Sequence, residues 1–482
     1  MVFGQFLDHD ITLTPLQTEG EYGDIEDVNC GEDNCQMDHP ACLPIQKPHD
    51  DPFDSGQPCL GFIRSRPVPS MPCDEDNIRE QMNAQTAFID ASHVYGRSLE
   101  EANFLRDMSG NGMLMETEHP FDPHMKPLLK ESDSGCEVHN ATHKCFRAGD
   151  PRVNEHVALA SYHTIFSRLH NKIVMKLKQE NPGWDGDKLY QEGRKIVGAI
   201  MQHVTYNEYL PMIVGREAMA GSGLEPLESG YFTGYDSSVN PSMHNEFSTA
   251  AYRFGHSLIT KEFKRADEFW NKNTYHSFIV SEGFFDPSEM YNTDEEGVDA
   301  FLRGIVDQSV QKCDRYYVTQ ITNHLFTLNP PHGPGGDLVV LNVRRAREHG
   351  ITGYNSYREY CGLPRAKTFD DFTEIFDYDE GETLEIIKEI YDQVDDVDLY
   401  PALISERAID GAMVGPTIAC LIMKQFLALK KGDRVYYEND GPAAFTPAQL
   451  DEIRGATLAS VLCHNSDNID TIQPWVLYKP FR

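Results

Sequence analysis

Positive charge is scarce in this chain: 42 Lys and Arg face 76 Asp and Glu, a formal net charge of −34. An excess of that sign repels nucleic acid and anionic lipid, so neither is expected as a partner. Long apolar runs are missing too. The longest, Ala412 to Met423, is bounded by Asp410 and Lys424 and is too short to span a bilayer, so it reads as a buried core helix and no transmembrane segment is expected. No Pro/Gly/Ser-rich linker or repeat divides the 482 residues, although that length has room for two or three ordinary domains. The expectation is one large helical domain, 1–482, mainly α. Its densest acidic tract, Asp370 to Asp398, has Lys388 as its only basic residue, yet keeps apolar spacing at Leu384, Ile387 and Tyr391. That tract reads as the acidic face of a helix rather than as disorder.

Cysteine, by contrast, occurs eleven times. Short loops such as Cys136 to Cys145 and Cys30 to Cys35 to Cys42 look like disulfide staples, which points to an oxidising, extracellular compartment. Asn140-Ala141-Thr142, inside the first loop, is an N-glycosylation sequon. No secretory signal is visible at Met1-Val2-Phe3-Gly4-Gln5, which has neither a charged start nor an apolar core.

Four segments carry the chemistry. Gln5-Phe6-Leu7-Asp8-His9-Asp10 sets two carboxylates and an imidazole side by side. On a helix they point in three directions and can serve three partners at one spot. Asp150-Pro151-Arg152-Val153-Asn154-Glu155 leads into a helical pattern at Leu159, Phe166, Leu169, Ile173 and Leu177, and Arg152 and Glu155, three apart, share a face. Thr249 to Ile259 reads as an apolar helix interrupted only by Arg253 and His256; a lone histidine on such a face is more often a satisfied core residue than a ligand. Leu341-Asn342-Val343-Arg344-Arg345-Ala346-Arg347-Glu348-His349-Gly350 reads alone as a basic surface turn.

Together these segments resemble the animal haem peroxidase family. The likeness continues through Asn83 to Gly96, Asn181 to Gly186, Arg194 to Gly198, Tyr206 to Pro211, Tyr354-Asn355 and Phe445 to Leu450, and so covers essentially the whole chain. It implies a helical haem peroxidase domain with haem b between a distal and a proximal helix. His9 is then the distal base, Arg152 its cationic partner, and His256 the proximal iron ligand with Asn342 against its second ring nitrogen. Arg253 would pair with a propionate, and Gln5 would sit at the halide or water position of the distal cavity. Asp8 and Glu155 match the two carboxylates that become esterified to the haem. After Glu155 comes His156, where one branch of the family carries a methionine that forms a third link. Its absence counts against that bond and against efficient chloride oxidation.

The resemblance also implies calcium, held by Asp10, Thr86, the Phe88 carbonyl, Asp90 and Ser92; calcium takes six to eight hard oxygens, and alternate residues of a loop can turn them inward. It pairs Cys136 with Cys145 and Cys361 with Cys420. Relatives carry a signal and a further segment before the distal helix, and a partner for the cysteine matching Cys463 beyond the position of Arg482, so the sequence is expected to be incomplete at both ends, with Cys463 left over and Cys313 unassigned. The expected activity is reduction of hydrogen peroxide with oxidation of halide, thiocyanate or phenolic and tyrosyl donors, by a secreted protein. The alternative is an extracellular adhesion protein on the same scaffold, with Lys431-Gly432-Asp433 as an integrin or matrix contact. A fatty-acid dioxygenase of the related cyclooxygenase class ranks lower, because those enzymes lack the Asp8-His9-Asp10 motif with its calcium loop.

Overall fold

Apolar residues recur at three- and four-residue spacing through most of the chain, and helices are what that spacing builds. The computed structural model describes all residues except 20–25, 28–29, 31–34, 36–38, 52–57, 69–77, 139, 141, 328–332, 377–380 and 479–482. Among the described residues, strands occur only as five antiparallel pairs of two residues each, so the fold is mainly α.

Helix α1 (Val2–Ile11) buries Val2, Phe3, Phe6, Leu7 and Ile11 and is followed at a distance by the short α2 (Ser92–Tyr95). The central helix is α3 (Val157–Glu180). His156 caps its start by accepting the Leu159 N–H on Nδ1 (3.1 Å), and Asn181 ends it just before Pro182, which cannot continue a helix. Residues 157–171 are all buried, which marks a helix enclosed on every side. Against it lie α1 and α4 (Gly186–Val204), the latter capped by Asp185, whose side chain accepts the Lys188 N–H (2.8 Å). Phe6 anchors α1 between Phe166 (centroids 4.8 Å apart), His163 (4.9 Å) and His93 (4.0 Å). Removing that ring costs about 3–5 kcal/mol, because the enclosed site cannot collapse to fill the gap.

Helix α4 runs on into a π-turn, Thr205–Tyr209, and then α5 (Leu210–Val214). The wider winding brings Tyr209 onto α1 at Gly4, where a Cβ would come within 2.6 Å of the tyrosine hydroxyl. Only glycine fits there. The remaining walls come from α6 (Leu338–Glu348), started by Asp337 accepting from Val339 and Val340 N–H, α7 (Leu399–Ser405) and α8 (Pro416–Gly432).

Four sequence expectations change in detail. The segment expected as one apolar helix from Thr249 is broken at Ala250 (φ −135°, ψ −65°): a short helix, Asn245–Thr249, ends there and a 3-10 helix, Ala251–Leu258, takes over. Leu341 to Gly350, expected as a surface turn, mostly belongs to helix α6, with Asn342 and Ala346 buried. The acidic tract is not one helix but a 3-10 turn (Phe369–Glu374), a helix (Glu382–Ile390) that Tyr391 ends, and a second 3-10 turn (Val394–Asp396). The core helix expected from Ala412 begins at Pro416, because proline is suited to a first helical turn and the residue before it is not helical. Disulfides join Cys136–Cys145 and Cys361–Cys420 as expected, while Cys30 pairs with Cys42 and Cys35 with Cys59. Cys313 and Cys463 are free thiols; Cys73 lies outside the described residues.

Candidate functional site

A cavity of about 680 Å³ separates α1 from the 3-10 helix Ala251–Leu258, and Gln5, Asp8, His9, Arg152, Glu155, Arg253 and His256 all line it. On the wall built by α1, His9 is 3% exposed. Its backbone carbonyl accepts from Gln85 Nε2 (2.7 Å), and the same amide reaches Asp150 (2.5 Å). The 3-10 turn Pro151–Asn154 straps Arg152 beside it: Nε donates to Asp150 Oδ1 (2.9 Å), and Nη2 to Asp150 Oδ2 (2.8 Å) and the Thr12 carbonyl (2.7 Å). Asp150 is fully buried, and burial alone would raise its pKa, but Arg152 and then His9 outweigh that and hold the carboxyl well below the usual range. His9 Nδ1 stands 3.7 Å from Asp150 Oδ1 and has no hydrogen-bond partner among the described residues. Burial, and after it the Arg152 guanidinium, pushes His9 well below its ordinary pKa. A neutral imidazole thus sits beside a permanent cation, able to accept a proton.

The two carboxyls differ from Asp150. Burial raises Glu155 to about 7 and raises Asp8 as well, against the pull of Arg152 in both cases. Their partly exposed faces border the cavity, which keeps both largely out of bulk water. Gln5 is held by His156: with Nδ1 committed as acceptor in the α3 cap, the His156 proton is on Nε2 and is donated to Gln5 Oε1 (2.7 Å). The Gln5 amide NH2 is left unbound by this contact.

On the opposite wall, the tight 3-10 winding eclipses residues three apart, so Arg253 and His256 share the face that meets the cavity. Burial, then Arg253, lowers the pKa of His256 to about 3. Its Nδ1 is 2.9 Å from the amide nitrogen of fully buried Asn342 on α6, whose oxygen accepts from Arg253 Nη1 (2.9 Å). Its Nε2 has no hydrogen bond among the described residues.

Behind α1, oxygen atoms converge. Thr86 Oγ1 lies 3.0 Å from Asp90 Oδ1, 3.3 Å from the Phe88 carbonyl and 3.3 Å from Ser92 Oγ. Ser92 Oγ donates to Asp10 Oδ1 (2.8 Å), and Asp10 Oδ2 accepts the N–H of Ala91 (3.0 Å), a residue in the left-handed region at φ 60°. Burial and the neighbouring Asp10 raise Asp90 to about 6. All five residues expected to hold a cation are therefore brought together. Within Lys431-Gly432-Asp433, Lys431 and Gly432 are partly exposed, while Asp433 is 3% exposed and its carboxylate accepts from Gln202 Nε2 (3.1 Å) and Val435 N–H (2.8 Å).

Sequence reasoning missed Asp150, Gln85 and the service of His156 to Gln5. Asp150 was readable as an N-cap, since it precedes Pro151 and accepts the Arg152 N–H (2.8 Å). Gln85 carries no local signal, because its partners are 65 and 76 residues away.

The family profile for animal haem peroxidases matches residues 1–477. The chain is 39% identical to peroxidasin of Drosophila melanogaster over 98% of its length and 30% of that protein, and 37% identical to the Homo sapiens peroxidasin homolog over 98% of its length and 32% of that protein. It thus spans about a third of these relatives. Peroxidase A from Dictyostelium discoideum superposes with a TM-score of 0.79 at 28% identity, covering 98% of this chain and 85% of that one. A fatty acid alpha-dioxygenase from Oryza sativa shares the fold at 18% identity, with a TM-score of 0.74 and 97% and 74% of the two chains covered. The chain belongs to the animal haem peroxidase family.

Proposed function

We propose that the protein is a secreted haem peroxidase that reduces hydrogen peroxide and oxidises halide, thiocyanate or phenolic and tyrosyl donors. The observation that carries this reading is a neutral, buried His9 beside Arg152, facing the unpaired Nε2 of His256 across one cavity. These groups fit a haem: His256 would hold the iron, Arg253 would meet a propionate, and Asp8 and Glu155 would form the two esters. Haem supplies an iron that binds peroxide and accepts its oxidising equivalents.

The rest of the chemistry belongs to the chain. His9 takes the proton from the near oxygen of peroxide and returns it to the far one, so that water leaves. Arg152, fixed by Asp150, stabilises the charge that develops as the O–O bond lengthens. The Gln5 amide NH2, oriented by His156, offers a donor to an anion or water in the same space. Burial raises the Asp8 carboxyl and brings Glu155 to about 7, which weakens the salt-bridge alternative to a covalent link. A ring that gives Nε2 to iron keeps its proton on Nδ1, so Asn342 turns its oxygen to His256 and releases Arg253. Asp10, Thr86, Phe88, Asp90 and Ser92 would hold calcium and so brace the helix that carries His9.

The test is acid and organic extraction of peroxide-primed enzyme, followed by digestion and weighing of haem peptides. Haem linked through Asp8 and Glu155 is expected. Haem that extracts freely, or peptides joined through His156, overturn the esters; an enzyme that consumes no peroxide overturns the whole reading.

A further inference from the structure

Behind the 3-10 helix, away from the cavity, a hydrogen-bonded line of side chains leads outward. The Asn342 amide that meets His256 is also hydrogen-bonded to the hydroxyl of Tyr400 on α7. Tyr400 is fully buried, its hydroxyl donates to the Arg253 carbonyl (3.3 Å), and it stands 2.6 Å from the hydroxyl of Tyr317. Tyr317 is only half-buried, and next to it Tyr316 is 56% exposed. The segment that carries these two is fastened to the 3-10 helix: Ser257 Oγ donates to the Asp314 carbonyl (2.7 Å) and accepts the Asp314 N–H (2.8 Å), and Gln311 N–H reaches the Leu258 carbonyl (3.1 Å). No step of the peroxide reaction uses either tyrosine.

We infer that Tyr400 and Tyr317 form a relay that carries one-electron oxidation from the His256 wall to the surface, where Tyr317 oxidises phenolic groups too large to enter the cavity, above all tyrosyl side chains of other proteins. The inference rests on the peroxidase reading, which supplies hydrogen peroxide as oxidant. Tyr400 gives an electron to the peroxide-oxidised prosthetic group, and its hydroxyl proton passes to water. A hydrogen atom, electron and proton together, then crosses the 2.6 Å bond from Tyr317 to restore Tyr400. An external phenol at the half-exposed Tyr317 gives its electron to the Tyr317 phenoxyl and its proton to solvent, Tyr317 takes a proton back, and the phenol leaves as a phenoxyl radical. Two such rounds consume one peroxide, two phenols and no net protons, and yield two phenoxyl radicals and two waters; the radicals can couple to dityrosine.

A short hydrogen bond between two phenols suits this step, because the proton travels a fraction of an ångström while the electron moves. Burial raises both Tyr400 and Tyr317 above the ordinary tyrosine range, so both phenols hold their protons at working pH and the electron cannot leave without them. The free thiol of Cys313 packs beside the pair and is the competing sink.

The experiment uses the haem-loaded full chain, with Tyr317→Phe and Tyr400→Phe matched to it by haem absorbance. Each protein is treated with hydrogen peroxide and a nitroso spin trap, digested and mapped by mass spectrometry. The expected result is an adduct on Tyr317 that both variants lose. In parallel, dityrosine formation on a folded, tyrosine-bearing protein falls about tenfold or more in both variants, while iodide oxidation stays within about twofold. An adduct confined to Tyr316, Cys313 or elsewhere, or dityrosine formation that Tyr317→Phe leaves unchanged, overturns the relay. Iodide oxidation by the wild type without an adduct on Tyr317 overturns the relay alone, whereas no iodide oxidation at all overturns the peroxidase reading beneath it.

Discussion

The two walls of the cavity are built on opposite electrostatic plans. On the α1 side, Asp8, His9, Asp150, Arg152 and Glu155 crowd around one end of the cavity, and burial and their mutual pull together set each proton: Arg152 outweighs burial and keeps Asp150 charged, burial and then Arg152 keep His9 neutral, and burial raises Glu155 to about 7 against the pull of Arg152. On the other side His256 meets a neutral amide, and Arg253 is the nearest charge. A wall that moves protons needs charges close enough to tune one another. A wall that holds a metal needs a ligand whose ring is fixed and whose partner takes little of its proton, as a neutral amide does and a carboxylate would not.

If the walls divide the work in this way, they fail differently. His9→Ala should lower the rate of reaction with peroxide by about 10²- to 10⁴-fold, the usual cost of a lost general base, and leave haem bound, whereas His256→Ala should lose the haem. Stopped-flow spectra and haem absorbance measure the two, and equal haem loss from both variants would erase the distinction.

Asp150→Ala sharpens the same contrast, because it strips the Arg152 guanidinium of its buried partner. About 3 kcal/mol of folding stability should go with it, read as a shift of the urea midpoint. Removal of an amide on the opposite wall, Asn342→Ala, should cost less, since the Arg253 guanidinium loses a neutral acceptor rather than a counter-charge and keeps the Ser248 carbonyl. A smaller shift for Asp150→Ala than for Asn342→Ala would contradict the two plans.

Calcium tests whether the α1 wall needs outside support. At a hundredfold excess over its dissociation constant, the ion should add about 2.7 kcal/mol to stability, lost on chelation and in Asp90→Ala. His9 is displaced in the process, so activity should fall with haem retention. Unchanged melting of active protein in chelator would remove the site.

The smallest effect concerns two neighbours that burial drives in opposite directions. His156 is lowered to about 3 from 6.5, so its contribution to stability is complete above pH 6.5 and is lost as pH falls toward 3. Glu155 is raised to about 7 from 4.5, so its contribution is complete below pH 4.5 and is lost as pH rises through 7. Each sets a slope of at most about 1.4 kcal/mol per pH unit within its window. His156→Leu apoprotein should therefore lose less stability than wild type between pH 4.5 and 3, and Glu155→Gln should lose less between pH 6.5 and 7. Urea midpoints across this range decide it, and an acid slope that His156→Leu leaves unaltered would falsify the assignment.

Much of this was legible in the sequence, and the limits have a physical cause. Apolar spacing suggested a mainly helical fold, whereas the residues of both walls followed from the family resemblance that the short motifs carry: alone, His256 reads as a core histidine and Leu341 to Gly350 as a surface turn. The break at Ala250 was not legible: nothing in Thr249-Ala250-Ala251 opposes a helix, and the 3-10 form reflects how Ser257 is fastened to the 311–314 segment. Gln85, and the Tyr400 to Tyr317 contact across 83 positions, depend on chain closure alone. His156 was noticed as a missing methionine, yet its hold on Gln5 crosses 151 residues and shows only in three dimensions.

The order of the walls along the chain has a consequence for synthesis. The α1 wall leaves the ribosome first, with Phe3, Phe6 and Leu7 needing α3 to cover them, and Asn342 follows more than three hundred residues later. At roughly 5–20 residues per second, that is a wait of roughly 20 to 70 seconds during which no site for the cofactor exists. Loading is thus a late event in the life of each chain. The α1 wall waits, already covered by α3, for a partner wall that is made last.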